Sequence, residues 1–160
     1  MKKLSLFFLF AFTFSSAQYL VEDNDITENR KEVGRQNISY DLNNPLESYR
    51  LKCENPIYAQ FPGGENNFKD SLFKNLKGYV DGGTYSVNGT FELQIYLNKD
   101  GNLERFQLKP EVPNSKLLYH DLEMALKKMN PKFVPATCNG VPIDSRVRQK
   151  INFRTENFDI

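Results

Sequence analysis

Few side chains in this sequence could do chemistry on a substrate. It contains one histidine, His120, and two cysteines, Cys53 and Cys138. A cysteine beside a histidine can act as a nucleophile, because the imidazole helps to hold the thiol as a thiolate. A Cys138–His120 thiol site is therefore one interpretation, but a structural disulfide or an unreactive thiol is favoured. Because no cysteines and histidines have the spacing of a metal site, we expect no catalytic residue, no metal and no cofactor.

The first residues of the sequence predict export, and export favours a bond between the two cysteines. A short basic head precedes an apolar run at 4–14, which is followed by small residues at 15–17. This pattern is typical of a cleaved signal peptide over 1–17, and the run is shorter than the roughly 20 residues of a membrane span. Export places Cys53 and Cys138 in an oxidising compartment, where a disulfide is expected. Two separate thiols are the alternative.

The charge balance gives no sign of a polyanionic partner. The chain has 21 basic and 20 acidic residues, and residues 1–17 hold two of the lysines and no acid, so 18–160 carries a formal charge of −1. Binding to nucleic acid or to a membrane surface requires a clear excess of positive charge. We therefore expect no nucleic-acid partner, and membrane contact only if the signal segment is retained as an anchor.

The remainder divides into a leader, one folded domain and a tail. Residues 18–47 are polar and follow no period, so they are expected to form a flexible leader. The domain is expected to span 48–155, and the tail 156–160 to be loose. Near its start a proline and two glycines favour a sharp turn into the first helix, because proline fixes φ and glycine tolerates positive φ. These structural turn residues are Pro62, Gly63 and Gly64.

Hydrophobic periodicity predicts the elements of the domain. Apolar residues recur at helical spacing in 68–76 and again in 118–129, whereas they alternate with polar residues in 89–97. A turn containing Gly101 joins that strand to a return strand at 103–112, whose slipped alternation indicates a bulge between Leu103 and Phe106. A last strand is predicted at 146–154. The fold class is therefore expected to be α+β, a small antiparallel sheet of about three strands with two helices packed on one face.

Four stretches of the sequence resemble the C-terminal domain of TonB, the periplasmic arm of the energy-coupling system of Gram-negative bacteria. They are the YAQFPGGE entry at 58–65, the strand and turn at 89–101, the helix at 117–129 and the loop at 133–143. The resemblance implies a TonB C-terminal-like fold, a place in the periplasm and a role in binding protein rather than catalysis. The usual Pro-rich linker is missing, and a cleavable signal stands where that family keeps its membrane helix; inner-membrane anchoring is the alternative location.

The resemblance also implies a partner site on the last strand. In that family the last strand pairs with a short segment of an outer-membrane receptor, and strand addition of this kind selects its partner through the flanking side chains. We therefore expect the protein to bind an extended peptide of an outer-membrane TonB-dependent receptor. The alternatives are an edge that charge guards against aggregation, and an exported structural protein that self-associates through it as a homodimer. The expected partner-binding residues are Arg146, Arg148, Lys150, Asn152 and Arg154.

Overall fold

The structure, a computed structural model, describes residues 24–28, 34–80 and 84–159. The predicted signal peptide at 1–17 lies outside the described residues, as do 18–23 and 29–33 of the predicted leader. In chain order the elements are β1 Asp25–Glu28, β2 Gly34–Asp41, β3 Glu47–Ser48, β4 Pro56–Ile57, α1 Gly64–Leu76, β5 Tyr85–Leu97, β6 Leu103–Lys109, α2 Lys116–Met129, β7 Ala136–Cys138, β8 Val141–Ile143 and β9 Ser145–Asp159.

Six of the strands form one antiparallel sheet around β5 and β9. Residues 89–97 of β5 pair with 145–153 of β9. The other side of β5 is shared by β1, along 85–88, and by β6, along 92–97. The other side of β9 is shared by β3, at 147–148, and by β2, at 152–159. The two longest strands are therefore the inner strands of this main sheet, and the remaining four lie along its margins.

Both helices contribute to a single core with one face of the main sheet. The alternation predicted for 89–97 is present, since the odd-numbered residues of β5 are buried and the even-numbered ones are half-exposed. Helix α1 buries Phe68, Leu72 and Leu76, and α2 buries a matching stripe that begins at Leu118. Each such side chain stabilises the fold by roughly 1.5–3 kcal/mol. Among the described residues, no helix is long and apolar enough to cross a lipid bilayer.

The predicted sheet of about three strands is wrong, although the protein is α+β. The structure has a six-stranded sheet and a separate three-stranded sheet formed by β4, β7 and β8. The additional strands are short or polar, and β1 buries a single side chain, that of Ile26. They join the sheets through backbone hydrogen bonds, which leave no apolar period in the sequence. The predicted bulge in β6 is confirmed, because Arg105 pairs with Tyr96 and Leu103 with Leu97, so Glu104 has no partner on β5.

The leader and the tail also differ from their predictions where the structure describes them. Strand β2, predicted as part of a flexible leader, pairs with β9 over eight residues, and β9 continues through the predicted tail as far as Asp159. Two apolar side chains fasten this segment to the core. Leu42 is buried, and the ring of Tyr40 lies 5.0 Å from that of Phe73 on α1, whose carbonyl accepts a hydrogen bond from Tyr40 Oη. Burial raises the pKa of Tyr40 to about 12.

The small sheet contains the disulfide that the sequence favours. Cys53 and Cys138 are bonded, and their Cα atoms lie 6.0 Å apart. The bond joins Cys53, in the segment just before β4, to Cys138, the last residue of β7. Strand β7 lies within a stretch predicted as a loop. The chain then turns into α1 at 61–64, where Gly64 N–H donates to Phe61 C=O over 2.8 Å and Gly63 adopts a φ of 82°.

Candidate functional site

The strand predicted as an open edge, β9, is flanked on both sides. Beyond its ladder with β5, it pairs with β2 and β3, and Tyr49 N–H donates to Arg146 C=O over 2.9 Å. Residues 149–151 have no strand partner on that side within the described part of the chain. There the buried Gln149 side chain donates to Asn44 C=O over 2.8 Å. A peptide could therefore add along 146–154 only if β2 and β3 left their places.

The basic side chains of β9 lie on the outer face of the main sheet, the face opposite the helices. One cross-strand row on this face consists of Arg105, Tyr96, Arg146 and Tyr49 and is called here the arginine–tyrosine row. Arg105 Cζ lies 3.5 Å from the centroid of the Tyr96 ring, and Arg146 Cζ lies 3.5 Å from that of Tyr49. Stacking of this kind favours the charged guanidinium and holds it flat.

The phenol of Tyr96 responds to the two arginines beside it. Burial acts to raise its pKa, but the hydrogen bond from Arg146 Nη1, over 2.9 Å, and the charges of Arg146 and Arg105 outweigh burial and lower the pKa. Within the described residues, no carboxylate lies within ion-pair distance of Arg105 or Arg146. The row therefore carries two positive charges that no acidic side chain of residues 24–28, 34–80 and 84–159 pairs with.

The adjacent part of the outer face is compensated. Arg148 Nε donates to Glu47 over 2.7 Å and its Nη1 to Glu92 over 3.2 Å, and the hydrogen bond to Glu47 is the largest cause of the raised pKa of Arg148. Burial opposes ionisation of Glu92. Hydrogen bonds from Tyr49 and Gln94, together with the charge of Arg148, outweigh it and lower the Glu92 pKa. Arg148, predicted to bind a partner, is therefore engaged within the protein.

The other predicted partner-binding residues are distributed differently. Asn152 joins neighbouring strands, since its Nδ2 donates to Asp41 over 2.9 Å and its Oδ1 accepts from Thr90 Oγ1 over 2.9 Å. Lys150 lies opposite Glu92 in the β5–β9 register. Arg154 is the most accessible, with 79% of its side chain exposed and Glu156 3.8 Å away. The structure therefore brings Arg146 and Arg148 together on the outer face and leaves Arg154 apart from them.

The hydrogen-bond direction along β5 identifies which backbone groups of β6 point outward. Thr90 exchanges two hydrogen bonds with the side chain of Asn24, which precedes β1, so its backbone groups point away from β9. Backbone groups alternate along a strand. The even-numbered residues 92, 94 and 96 therefore bond to β6, whereas Leu93 and Ile95 point toward β9.

It follows that β6 presents backbone groups at an outer edge. Phe106 lies opposite Ile95 and Leu108 opposite Leu93, so their N–H and C=O groups point away from β5. Tyr119 Oη on α2 reaches this edge and donates to Phe106 C=O over 2.8 Å. No strand of the described chain pairs with β6 on that side.

Two recesses flank Tyr119 along the outer edge of β6. One has a volume of about 330 Å³ and the other about 240 Å³. Tyr119 separates them and stacks on Phe106 with 4.4 Å between ring centroids. Sequence reasoning missed both Tyr119 and Arg105 as site residues. The one signal in the sequence was Arg105 itself, a basic residue within the alternating pattern of β6. The first recess is lined by Leu103, Glu104, Arg105, Phe106, Tyr119, Glu123, Leu126 and Lys127.

The Cys138–His120 thiol site, one interpretation of the sequence, is not formed. Cys138 is consumed by the disulfide, and His120 is exposed on α2. The described part of the chain contains no group of three or more histidine, cysteine, aspartate or glutamate residues placed to hold a metal ion. A further recess of about 550 Å³ between β2, β5 and β9 is lined by polar side chains such as Ser39 and Asn88, without a histidine or cysteine.

Comparison of the chain with family models, with curated proteins and with solved structures finds no match.

Proposed function

We propose that this protein is an exported binding protein that takes an extended peptide of an outer-membrane transporter as an added strand. The observation that carries the proposal is the outer edge of β6, where Phe106 and Leu108 turn their backbone groups outward. An extended peptide can satisfy such groups and so continue the sheet. The four stretches that resemble the TonB C-terminal domain support the class of partner.

The edge of β6 suits strand addition better than β9 does. An added strand on β6 displaces no element of the described chain, whereas one on β9 has to displace β2 and β3. The outward N–H and C=O groups of Leu108 and the N–H of Phe106 offer three hydrogen bonds, while Tyr119 already occupies the Phe106 carbonyl. Each such bond contributes about 0.5–1.5 kcal/mol net. The backbone contribution is small, so the expected affinity is in the micromolar to millimolar range.

The experiment is an NMR titration of the purified, disulfide-bonded protein with peptides from the N-terminal segments of outer-membrane transporters. Binding is expected to shift the amide signals of 103–109 and of Tyr119. Hydrogen exchange gives the sharper readout. The amides of Phe106 and Leu108 should exchange quickly in the free protein and slowly in the complex. Gln107, whose N–H points to β5, provides the matched control and should be protected in both states.

Three outcomes would contradict the proposal. Shifts confined to 146–154 would place the peptide on β9 and imply that β2 and β3 are displaced. No shifts with any transporter peptide would remove the proposed partner class. Signals of 103–109 that move with protein concentration alone would instead identify β6 as the contact of a homodimer.

A further inference from the structure

We propose that the outer edge of β6 selects a peptide with an acidic residue opposite Arg105 and apolar residues opposite Phe106 and Leu108. This inference rests on the proposed function and names the partner chemistry of the same edge. Its basis is the arginine–tyrosine row, which ends at Arg105 on the outermost strand.

Cross-strand register fixes what would lie next to Arg105. Directly opposite residues of neighbouring strands have Cβ atoms about 4.5–5.5 Å apart and interact through their side chains. A strand added to β6 would therefore place one side chain beside Arg105 as the fifth member of the row. Because Phe106 and Leu108 supply the outward hydrogen bonds, that position belongs to a pair without mutual hydrogen bonds, where side chains approach more closely.

The charges of the outer face favour a carboxylate at this position. Arg148 is paired with Glu47 and Glu92, and Lys109 with Glu111. Arg105 has no acidic partner among the described residues, and the next cation in its row, Arg146, has none either. The Arg105 guanidinium lies over the Tyr96 ring, with Cζ 3.5 Å from its centroid, and this contact already restricts the side chain before a carboxylate binds its N–H groups. A carboxylate is the protein group that complements this charge and geometry.

The neighbouring positions of an added strand face the helices. Phe106 and Leu108 point their side chains into the core, with exposures of 8% and 5%. The partner residues opposite them would lie on that same face, over the two recesses beside Tyr119. Phe106 and Tyr119 give the first recess an apolar part that suits a small apolar side chain, while the charged residues Glu104, Glu123 and Lys127 line its outer part. In a strand antiparallel to β6, the apolar residues opposite Phe106 and Leu108 lie one and three positions before the acidic residue, so the recognised pattern is apolar–x–apolar–acidic.

The test compares three capped peptides that differ at one position. The first is Thr-Val-Thr-Val-Glu-Val-Thr, and the other two carry Gln or Lys in place of Glu. Titration calorimetry at low salt gives the affinities for the wild-type protein, and amide shifts show where each peptide binds. We expect the Glu peptide to bind about two- to fivefold more tightly than the Gln peptide, the range of an exposed ion pair, and the Lys peptide to bind most weakly.

The protein variants separate the role of Arg105 from the loss of a positive charge in general. Arg105→Gln should abolish the preference for the Glu peptide. Arg154→Gln removes another exposed positive charge of the outer face, away from the row, and should retain the preference. Added salt should reduce the preference in the wild-type protein, because surface charges are screened.

The outcomes distinguish this inference from the proposed function. Equal binding of all three peptides with shifts on 103–109 would overturn acid selection and leave strand addition standing. Absence of shifts on 103–109 with all three peptides would overturn acid selection, and absence with the transporter peptides as well would overturn both. A preference that survives in Arg105→Gln would assign the selection to another cation and overturn the role given to Arg105.

Discussion

Reduction of the Cys53–Cys138 disulfide is expected to remove a large share of the stability of the folded protein. The bond joins residues 85 positions apart in the chain. In the chain-entropy description, a cross-link of this span removes enough freedom from the unfolded chain to stabilise the fold by about 4–5 kcal/mol. A domain of this size is stable by about 5–15 kcal/mol in total. The reduced protein should therefore be marginally folded.

The assay is guanidinium unfolding, followed by circular dichroism, with and without reductant. For a dependence on denaturant of about 4 kcal/mol per molar, a loss of this size lowers the midpoint by about 1 M. The variant carrying both Cys53→Ser and Cys138→Ser is the matched control: it should unfold where the reduced wild-type protein does and should not respond to reductant. Equal midpoints for the oxidised and reduced wild-type protein would refute the reasoning, because the cross-link would then not reduce the conformational entropy of the unfolded chain.

Three further predictions concern single side chains. Gly101→Ala places a Cβ 1.9 Å from Phe133 O at a φ of +80°, whereas Gly140→Ala has the same φ and open space around the Cβ. Thermal unfolding should show that Gly140→Ala destabilises the fold by about 1–2 kcal/mol and that Gly101→Ala destabilises it more. Equal losses of stability would contradict the close contact. Burial raises the Tyr40 pKa to about 12, so the unfolded chain loses this proton at a lower pH than the folded protein, and the free energy of unfolding should fall as pH rises above about 10. The denaturant midpoint of Tyr40→Phe should fall less steeply over this pH range than that of the wild-type protein, and identical slopes would count against the burial. The Glu92 pKa is lowered because hydrogen bonds and the charge of Arg148 outweigh burial. The charged Glu92 therefore stabilises the fold at neutral pH, and this stabilisation is lost as pH falls below about 4. In Glu92→Gln the free energy of unfolding should depend less on pH in this range, and an unchanged dependence would show that the network does not hold the charged form.

The sequence predicts those elements whose side chains form the core. Alternation along 89–97 identifies β5, and helical spacing identifies α1 and α2, because burial of one face imposes a period on the residues. The strands β1, β2 and β3 place only a few side chains, such as Ile26 and Tyr40, against the core; their other residues are joined to β5 and β9 by ladder hydrogen bonds, and a ladder accepts almost any side chain. Their composition therefore resembles that of a flexible segment.

The candidate site illustrates the same limit. The alternation of 146–154 predicts which side chains of β9 face outward, and the structure has Arg146 and Arg148 on that face, with Val147 and Ile151 buried. Whether a strand is an edge depends on which other segments pair with it, and those partners are the polar residues around 34–48. The edge of β6 has no neighbouring strand among the segments that the structure describes, and this too depends on the rest of the chain and not on β6 itself. Its one local signal is Arg105.

The position of β9 also has a consequence for how the chain reaches its native state. A polypeptide is made from its N-terminus, and the last strand to appear is the one that β2, β3 and β5 all require. Arg35 pairs with Phe158, more than a hundred residues later. Long-range pairings of this kind slow folding, so within the described main sheet only the β5–β6 hairpin can assemble early from neighbouring segments. Until β9 arrives, β2, β3 and one side of β5 remain as unpaired edges, the state in which chains aggregate most readily. The main sheet can therefore be completed only after β9 has been made, and until then its unpaired strands must be kept from pairing with other chains.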